Sequence, residues 1–366
     1  MNSQDLRYEE RVTLALRSLY RRYGYQQYRM SKFEEYDLYL QNKSFLVSDN
    51  IITFNDSHGR LMALKPDVTL SIVKNAGLRR GLQKYCYNEN VYRTSPASGE
   101  FREIMQVGLE CIGPIDIYAM SETIMLAAES LRLISDRYTL DISHMGFLTA
   151  LLDGMSLTGR DRGRVLRAIS RKSVSGLNTV AAECGLSRED TDRLRTLTTM
   201  YGSIEDCLGT LRSVSTCAGT EAALKELEEI HSAVCRFGRW NISLDFSIVN
   251  DMNYYNGVIF RGFVDGVPSG VLSGGRYDNL MKKLGSSDGA IGFAVYLDEL
   301  EFLDPPEKRC DADVLLISGE ADAGEIAAAA AAITAGGESV WVSRGPDENV
   351  CCRRTVVLEK GGAHHG

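Results

Sequence analysis

The period of the apolar pattern changes twice along this chain. Up to about residue 155, short β-like runs are mixed with helical stripes. From about 155 to 237 the pattern is helical. Then Ile242, Leu244, Phe246 and Ile248 alternate with Asn241, Ser243, Asp245 and Ser247, the period of two that marks a half-buried strand. A strand signal that resumes directly after a long helical block makes that block an insertion into one larger, sheet-bearing domain.

The flanking segments fill in the outline. Val12, Leu16, Leu19, Tyr20 and Tyr23 form one helical stripe, with Gly24 as its stop. Ile51–Phe54 and Gln83–Tyr87 read as strands, and Asp116–Ile134 as a helix. Within the insertion, Ser187 and Ser203 each precede an aspartate by three residues, a capping-box pattern. Val258–Phe260 and Ser269–Leu272 predict an antiparallel meander, closed by a glycine-bearing turn at Ser273–Asp278. Pro305-Pro306 marks a linker. Beyond it, Asp313–Ile317, Glu325–Ala335 and Ser339–Val342 read as strand, helix, strand, a small α/β unit with no sign of further elements. The expected organisation is an α+β core over 1–305, with the helical insertion at 155–237, and a short α/β unit over 311–366.

Composition narrows the function. At 366 residues, 44% hydrophobic and 25% charged, the chain is an ordinary globular one. The alanine-rich run around Ile326–Ile333 is far short of the roughly 20 residues a membrane span needs, and Met1–Asp5 shows no signal pattern, so a cytoplasmic setting is expected. A net charge of −8 and a pI near 5.3 disfavour a partner held through phosphates, so tRNA binding is not expected. The nine cysteines are scattered without C-x-x-C spacing, and the histidines are isolated. No metal or other cofactor is expected, and the cysteines read as reduced thiols.

Three clusters carry polar groups suited to a binding site. Leu64–Thr69 places Asp67 and Thr69 two residues apart, on one face if extended. If Phe101–Cys111 is a strand, Arg102, Gln106 and Glu110 share one face, and Arg93 lies just upstream. Tyr254-Tyr255-Asn256-Gly257 and Gly274-Gly275-Arg276-Tyr277 add aromatic hydroxyls and close backbone approach. Together these groups suit an amphipathic amino acid, with carboxylates and amides for its ammonium and tyrosines for its side chain.

The order of these clusters resembles a class II aminoacyl-tRNA synthetase core, specifically the histidyl-tRNA synthetase family. Leu64–Thr69 is similar to its proline-acid-x-threonine segment, and Tyr92–Glu110 to class II motif 2. Asp245–Phe260 is similar to the histidine motif with its twin tyrosines, and Ser273–Leu280 with Ala290–Leu300 to the glycine-rich segment and motif 3. The resemblance spans roughly residues 6–300. It implies a class II-like antiparallel sheet flanked by helices, and a histidine pocket. Asp67, Thr69 and Gln106 would face the α-amino group, Glu110 and Tyr255 would hold the imidazole, and Tyr254 and Tyr277 would complete the wall. Arg93 would bind a carboxylate or phosphate.

The departures from the family pattern bear on catalysis. Asn250 stands where the histidine motif carries an arginine, Glu299 where motif 3 carries the arginine that holds ATP phosphates, and Ser31 where motif 1 has proline. A unit charge about 4 Å from another is worth roughly 4 kcal/mol at an effective dielectric near 20, so reversing its sign at Glu299 is a swing of about 8 kcal/mol. The Asn250 exchange weakens a carboxylate contact, since a charge-assisted bond of a kind worth roughly 1.5–3 kcal/mol becomes a neutral one. The C-terminal unit, at roughly 55 residues, resembles only part of an anticodon-binding domain. A kept pocket, lost cations and a shortened C-terminal unit together resemble the regulatory subunits of ATP phosphoribosyltransferase. That likeness implies a non-catalytic chain that dimerises through its core and assembles with a short-form catalytic subunit. It would bind L-histidine to mediate feedback inhibition of the first step of histidine biosynthesis. The alternatives are a divergent histidyl-tRNA synthetase and a synthetase-like sensor of tRNA or amino acids.

Overall fold

The computed structural model describes residues 6–42, 51–76, 81–94, 99–248, 254–303, 310–359 and 362–365. The chain divides into two compact units, Met1–Leu303 and Asp304–Gly366.

The first unit opens with α1 (Tyr8–Arg22), β1 (Gln26–Gln27), β2 (Phe33–Glu35), α2 (Tyr36–Gln41), β3 (Thr53–Asn55), β4 (Leu61–Leu64) and α3 (Thr69–Ala76). The long strands β5 (Gln83–Thr94) and β6 (Phe101–Gly113) follow, then α4 (Ile117–Ile134), β7 (Tyr138–His144) and α5 (Met145–Asp153). Next come α6 (Gly159–Ser170), α7 (Val174–Glu183), α8 (Arg188–Thr199), β8 (Tyr201–Ser203), α9 (Ile204–Val214) and α10 (Ala218–Phe237). The unit closes with β9 (Ile242–Asp245), β10 (Val258–Val264), β11 (Leu272–Arg276), α11 (Asp278–Lys283), β12 (Gly289–Tyr296) and a 3-10 turn at Leu297–Leu303.

Nine strands make one sheet in the order β1-β5-β6-β12-β11-β10-β7-β9-β8. It is antiparallel through its centre, as expected, with β1 running parallel to β5 and β9 parallel to β7 towards its two edges. In both parallel pairs a helix-bearing excursion separates the partners, the connection that parallel pairing demands. Ile242–Asp245 takes its place beside β7 after the helical block, as the resumed alternation implies.

Directly opposed residues in adjacent strands share a face, so the register divides the sheet cleanly. Leu109 lies opposite Phe293, Phe293 opposite Gly274, Gly274 opposite Phe260, and Phe260 opposite Ile142. These side chains join the main core with Leu16 of α1, Leu126 and Leu131 of α4, and Leu224 of α10. The α1 stripe is buried at Val12, Leu16, Leu19 and Tyr20, and the Tyr20 hydroxyl meets Ser130 Oγ at 3.0 Å. Asp116 caps α4 by accepting from Ala119 N–H at 2.8 Å. Ser187 and Ser203 cap α8 and α9, accepting from Asp190 and Asp206 N–H at 3.0 and 3.2 Å.

Two local expectations change. Asp67 and Thr69 are not on an extended segment: Thr69 starts α3, because Asp67 Oδ1 accepts from Leu70 N–H at 2.8 Å and ties down the first turn. Ser273–Arg276 is not a turn but lies within β11, at the middle of the sheet. Its glycines serve close packing, since a Cβ on Gly274 would lie 2.4 Å from the Gly292 carbonyl oxygen.

In the second unit, β13 (Ala312–Ile317), α12 (Ala323–Ala335) and β14 (Val340–Ser343) match the expected strand, helix, strand. Two more strands, β15 (Cys352–Glu359) and β16 (Gly362–His365), complete a four-stranded sheet in the order β14-β13-β15-β16, so further elements exist that the sequence pattern did not reveal. Val314, Leu316 and Val356 form its core, against Ala329, Ala330 and Ile333 of α12. No helix among the described residues is long and apolar enough to cross a membrane.

Candidate functional site

The sheet face away from the main core carries the site. On β6, Gln106, Gly108 and Glu110 alternate with the core residues Val107 and Leu109, so all three share this face. Across the sheet, Glu110 lies opposite Tyr85 and Gly292, Gly108 opposite Tyr87, and Gln106 opposite Tyr296. Gly292 in turn lies opposite Gly275 of β11.

Each glycine has a side chain lying over it. A Cβ on Gly292 would sit 1.9 Å from Glu110 Oε2 and 2.4 Å from the Leu109 carbonyl oxygen. One on Gly108 would meet the Tyr87 hydroxyl at 2.4 Å, and one on Gly275 the Tyr255 ring at 2.7 Å. The missing side chains allow Glu110, Tyr87 and Tyr255 to lie flat along the sheet.

Glu110 is the centre of the arrangement and is 2% exposed. Its Oε1 accepts from the Thr69 hydroxyl at 2.7 Å, and its Oε2 from the Tyr277 phenol at 2.5 Å. Helix α3 delivers Thr69, and the junction of β11 and α11 delivers Tyr277. Tyr254 packs on Tyr255 with ring centroids 4.6 Å apart, and on Tyr277 at 5.7 Å. Arg93 Nε donates to the Pro66 carbonyl at 2.9 Å, which holds it beside the segment bearing Asp67.

A second polar network fastens the tyrosine-bearing segments together. Asn256 Oδ1 accepts from Asp278 N–H at 2.8 Å, and Asp278 Oδ1 accepts from Ala290 N–H at 3.1 Å. Arg276 Nε donates to Asp278 Oδ2 at 2.9 Å and its guanidinium reaches Glu226 of α10 at 3.5 Å. Glu226 pairs with His144 Nε2 at 3.0 Å.

Burial sets the protonation of the site. It pushes the Glu110 carboxyl up to about 8, against the hydrogen bonds from Thr69 and Tyr277 and with the Asp67 charge adding to the rise. Burial also raises Asp67, with the Leu70 N–H and Arg93 opposing it. The hydroxyls of Tyr254, Tyr255 and Tyr277 are held well above their ordinary range, again by burial first. At neutral pH the cluster therefore presents a mostly protonated carboxyl among neutral phenols. Such a carboxyl keeps its proton beside a base whose own pKa is near 6.5, as an imidazole's is, so the two would meet as neutral hydrogen-bonding partners. Among the described residues no group of three or more metal-ligating side chains converges.

The structure brings Thr69, Glu110 and Tyr277 into direct contact, packs Tyr254 edge-on against Tyr255 beside them, and holds Arg93 of β5 against the segment that bears Asp67. Gln106, 4% exposed, stands on the same face two repeats of the pleat away from Glu110, with Gly108 between them. Glu299 is half-buried in the 3-10 turn, where its carboxylate accepts from the Ser269 hydroxyl. Its neighbour Asp298 accepts from Met105 N–H at 3.0 Å. Asn250 lies outside the described residues. Sequence reasoning missed Tyr87 and Tyr296, which face the site from β5 and β12. The small residues on this face, Gly108 and Gly292, were the available signal, because each marks a strand position that a neighbouring side chain must cross.

Known proteins share this architecture. A model of the histidyl-tRNA synthetase family matches residues 1–300. The ATP phosphoribosyltransferase regulatory subunit of Caldanaerobacter subterraneus subsp. tengcongensis is 30% identical over 304 residues, covering 81% of this chain and 79% of that protein. Among solved structures, an ATP phosphoribosyltransferase regulatory subunit/histidyl-tRNA synthetase from Bacillus halodurans superposes with a TM-score of 0.78 at 25% identity, covering 93% of this chain and 90% of that one. A chain of the ATP phosphoribosyl transferase (HisG:HisZ) complex from Thermotoga maritima has the same fold, with a TM-score of 0.63 at 16% identity over 79% of this chain and 97% of that one. The chain belongs to the histidyl-tRNA synthetase family and, within it, to the ATP phosphoribosyltransferase regulatory subunits.

Proposed function

We propose that this chain is a non-catalytic regulatory subunit that assembles with a short-form ATP phosphoribosyltransferase and confers feedback inhibition by L-histidine on the first step of histidine biosynthesis. The observation that carries the histidine assignment is Glu110, buried between the Thr69 and Tyr277 hydroxyls and walled by Tyr254 and Tyr255. The imidazole bonds Glu110 and Tyr255. Asp67, Thr69 and Gln106 take the ammonium, and Arg93 the carboxylate. Histidine then shifts the assembly by binding one of its states more tightly than the other.

The remaining parts of the reading follow the same logic. The core, residues 1–305 with its insertion at 155–237, forms a homodimer, and residues 311–366 are a remnant of an anticodon-binding domain. The setting is cytoplasmic, and no tRNA is bound, in keeping with a net charge of −8. Glu299 and Asn250 leave adenylation without its cations.

The test is calorimetric titration with L-histidine of the intact chain and of Glu110→Ala. We expect saturable binding by the first and a loss of at least tenfold in affinity by the second; equal binding by both would remove Glu110 from the site. Histidine-dependent exchange of pyrophosphate into ATP by the purified chain would overturn the non-catalytic reading. An assay of a short-form phosphoribosyltransferase with and without this chain, and then with histidine, tests the partnership itself.

A further inference from the structure

Two cysteines of the second unit stand apart from the seven others. Cys310 and Cys351 are 41 positions apart in sequence, yet their sulfurs lie 3.2 Å from one another. The fold holds them there through the backbone. Strands β13 and β15 run parallel with Ala312 opposite Cys352, so the residues just before each strand are brought side by side. Asp311 N–H donates to the Cys351 carbonyl at 2.6 Å, and Cys351 N–H donates to Asp311 Oδ2 at 2.8 Å. These two bonds clamp the segments that carry both thiols.

A disulfide needs its sulfurs about 2.05 Å apart, so closure asks for roughly 1 Å of movement. Cys351 is exposed and Cys310 partly so, whereas Cys86, Cys111 and Cys207 are buried. Successive side chains of an extended segment point to opposite sides, which directs Cys352 away from its neighbour Cys351. Arg353, two positions on and so on the Cys351 side, is held by Asp313 at 3.2 Å and places a cation near the pair. The Cys351 thiol beside it raises the Cys310 thiol and Arg353 opposes that rise, so what sets this pair apart from the other cysteines is proximity together with access.

We propose that Cys310 and Cys351 are a reversible dithiol–disulfide site whose oxidant is a low-molecular-weight disulfide of the glutathione class. One cysteine, as thiolate, attacks a sulfur of oxidised glutathione, forms a mixed disulfide and expels one glutathione thiolate. The second cysteine, after losing its proton to solvent, attacks the protein sulfur of that mixed disulfide and expels the other. The balance is one protein disulfide made, one glutathione disulfide consumed and two glutathione thiols released. The bond fastens the start of β13 to the start of β15, and excess thiol reverses it.

The experiment treats the full chain with oxidised glutathione, blocks residual thiols by alkylation, and maps unreduced peptides by mass spectrometry. We expect one dominant crosslink, 310 to 351, formed at least tenfold faster in the native chain than in urea and removed by dithiothreitol. Cys352→Ser should form it unchanged, while Cys310→Ser and Cys351→Ser should stop at the mixed disulfide. A native chain that stops at mixed disulfides, links Cys352 as readily as Cys351, or oxidises no faster than the unfolded chain would overturn the proposal.

Discussion

On the helix-covered face of the large sheet, Leu109, Phe260 and Phe293 interdigitate with Leu126 and Leu131 of α4. On the opposite face, strand positions a single residue away carry Gly108, Gly275 and Gly292, with Tyr87, Tyr255 and Glu110 lying over them. The first face is filled by large side chains of the strands themselves; on the second the strand glycines leave room for side chains that cross them, beside a smaller apolar cluster around Tyr87 and Tyr277. The same strands serve both because their side chains alternate. Stability and binding should therefore respond to opposite kinds of change on the two sides.

The largest effect is expected from removing volume on the core face. Leu131 is fully buried and packs over Gly262, so Leu131→Ala should destabilise the first unit by about 2–5 kcal/mol, as large cavities do. Urea unfolding followed by circular dichroism measures the loss. Histidine affinity of the fraction still folded should stay within about twofold of the parent. A large affinity loss would show that the two faces are not separable.

The next effect comes from charge on the site face. Glu110 titrates near 8 in the folded chain, well above the ordinary carboxyl range. Below about pH 4.5 both the folded and unfolded forms hold its proton. Between there and about 8 only the folded form does, so stability declines as pH rises through that window, then levels off. The slope from this group is at most roughly 1.4 kcal/mol per pH unit. Urea midpoints measured from pH 5 to 9 should fall more steeply for the parent chain than for Glu110→Gln, which cannot titrate. Parallel curves would place Glu110 in a wetter setting than its contacts describe.

Adding volume on the site face should cost less stability but more binding. In Gly292→Ala the new methyl meets both the Glu110 carboxylate and the Leu109 carbonyl, and the backbone contact cannot be relieved by a rotamer. We expect a loss of about 1–3 kcal/mol, typical of overpacking, with histidine affinity down at least tenfold because Glu110 is displaced. Calorimetric titration and urea unfolding on the same preparation separate the two losses. Normal binding would detach the glycine platform from ligand recognition.

These contrasts also mark what could be seen in the sequence. The core face was partly legible, because such periods are properties of neighbours in the chain. The stripe at Val12–Tyr20 is buried as read, but the strand read over Ile242–Ile248 ends at Asp245, and Ile248 packs in a separate small cluster with Met145 and Ile259. Glu110, Thr69 and the tyrosines were legible as a set through the resemblance, and Gln106 with Glu110 through period two alone. The sharing of Glu110 between Thr69 and Tyr277 depends on partners 41 and 167 positions away, and no local pattern encodes it. Ser273–Arg276 was misread as a turn because glycine serves tight turns and close strand packing equally well, and only the register separates them. In the C-terminal unit, Cys352–Glu359 carries Arg353, Arg354 and Glu359 among its apolar residues, so its strand character was obscured until β13 supplied its partner.

The smallest effect tests a residue with two jobs. Asp67 caps the first turn of α3 through Leu70 N–H, and in the proposed function it also faces the ligand ammonium. Asp67→Asn keeps an oxygen acceptor for the cap, so stability should change by less than about 0.5 kcal/mol, the small end of capping exchanges. The ammonium contact, however, loses its charge. A charge-assisted hydrogen bond is worth about 1 kcal/mol more than a neutral one, so histidine affinity should drop about fivefold. Asp67→Ala removes both functions and should cost about 1 kcal/mol in stability as well. If Asp67→Asn binds histidine as the parent does while Asp67→Ala loses only stability, the residue is a cap alone. The ammonium would then rest on Thr69 and Gln106, and the site face would depend less on charge than on the space its glycines leave.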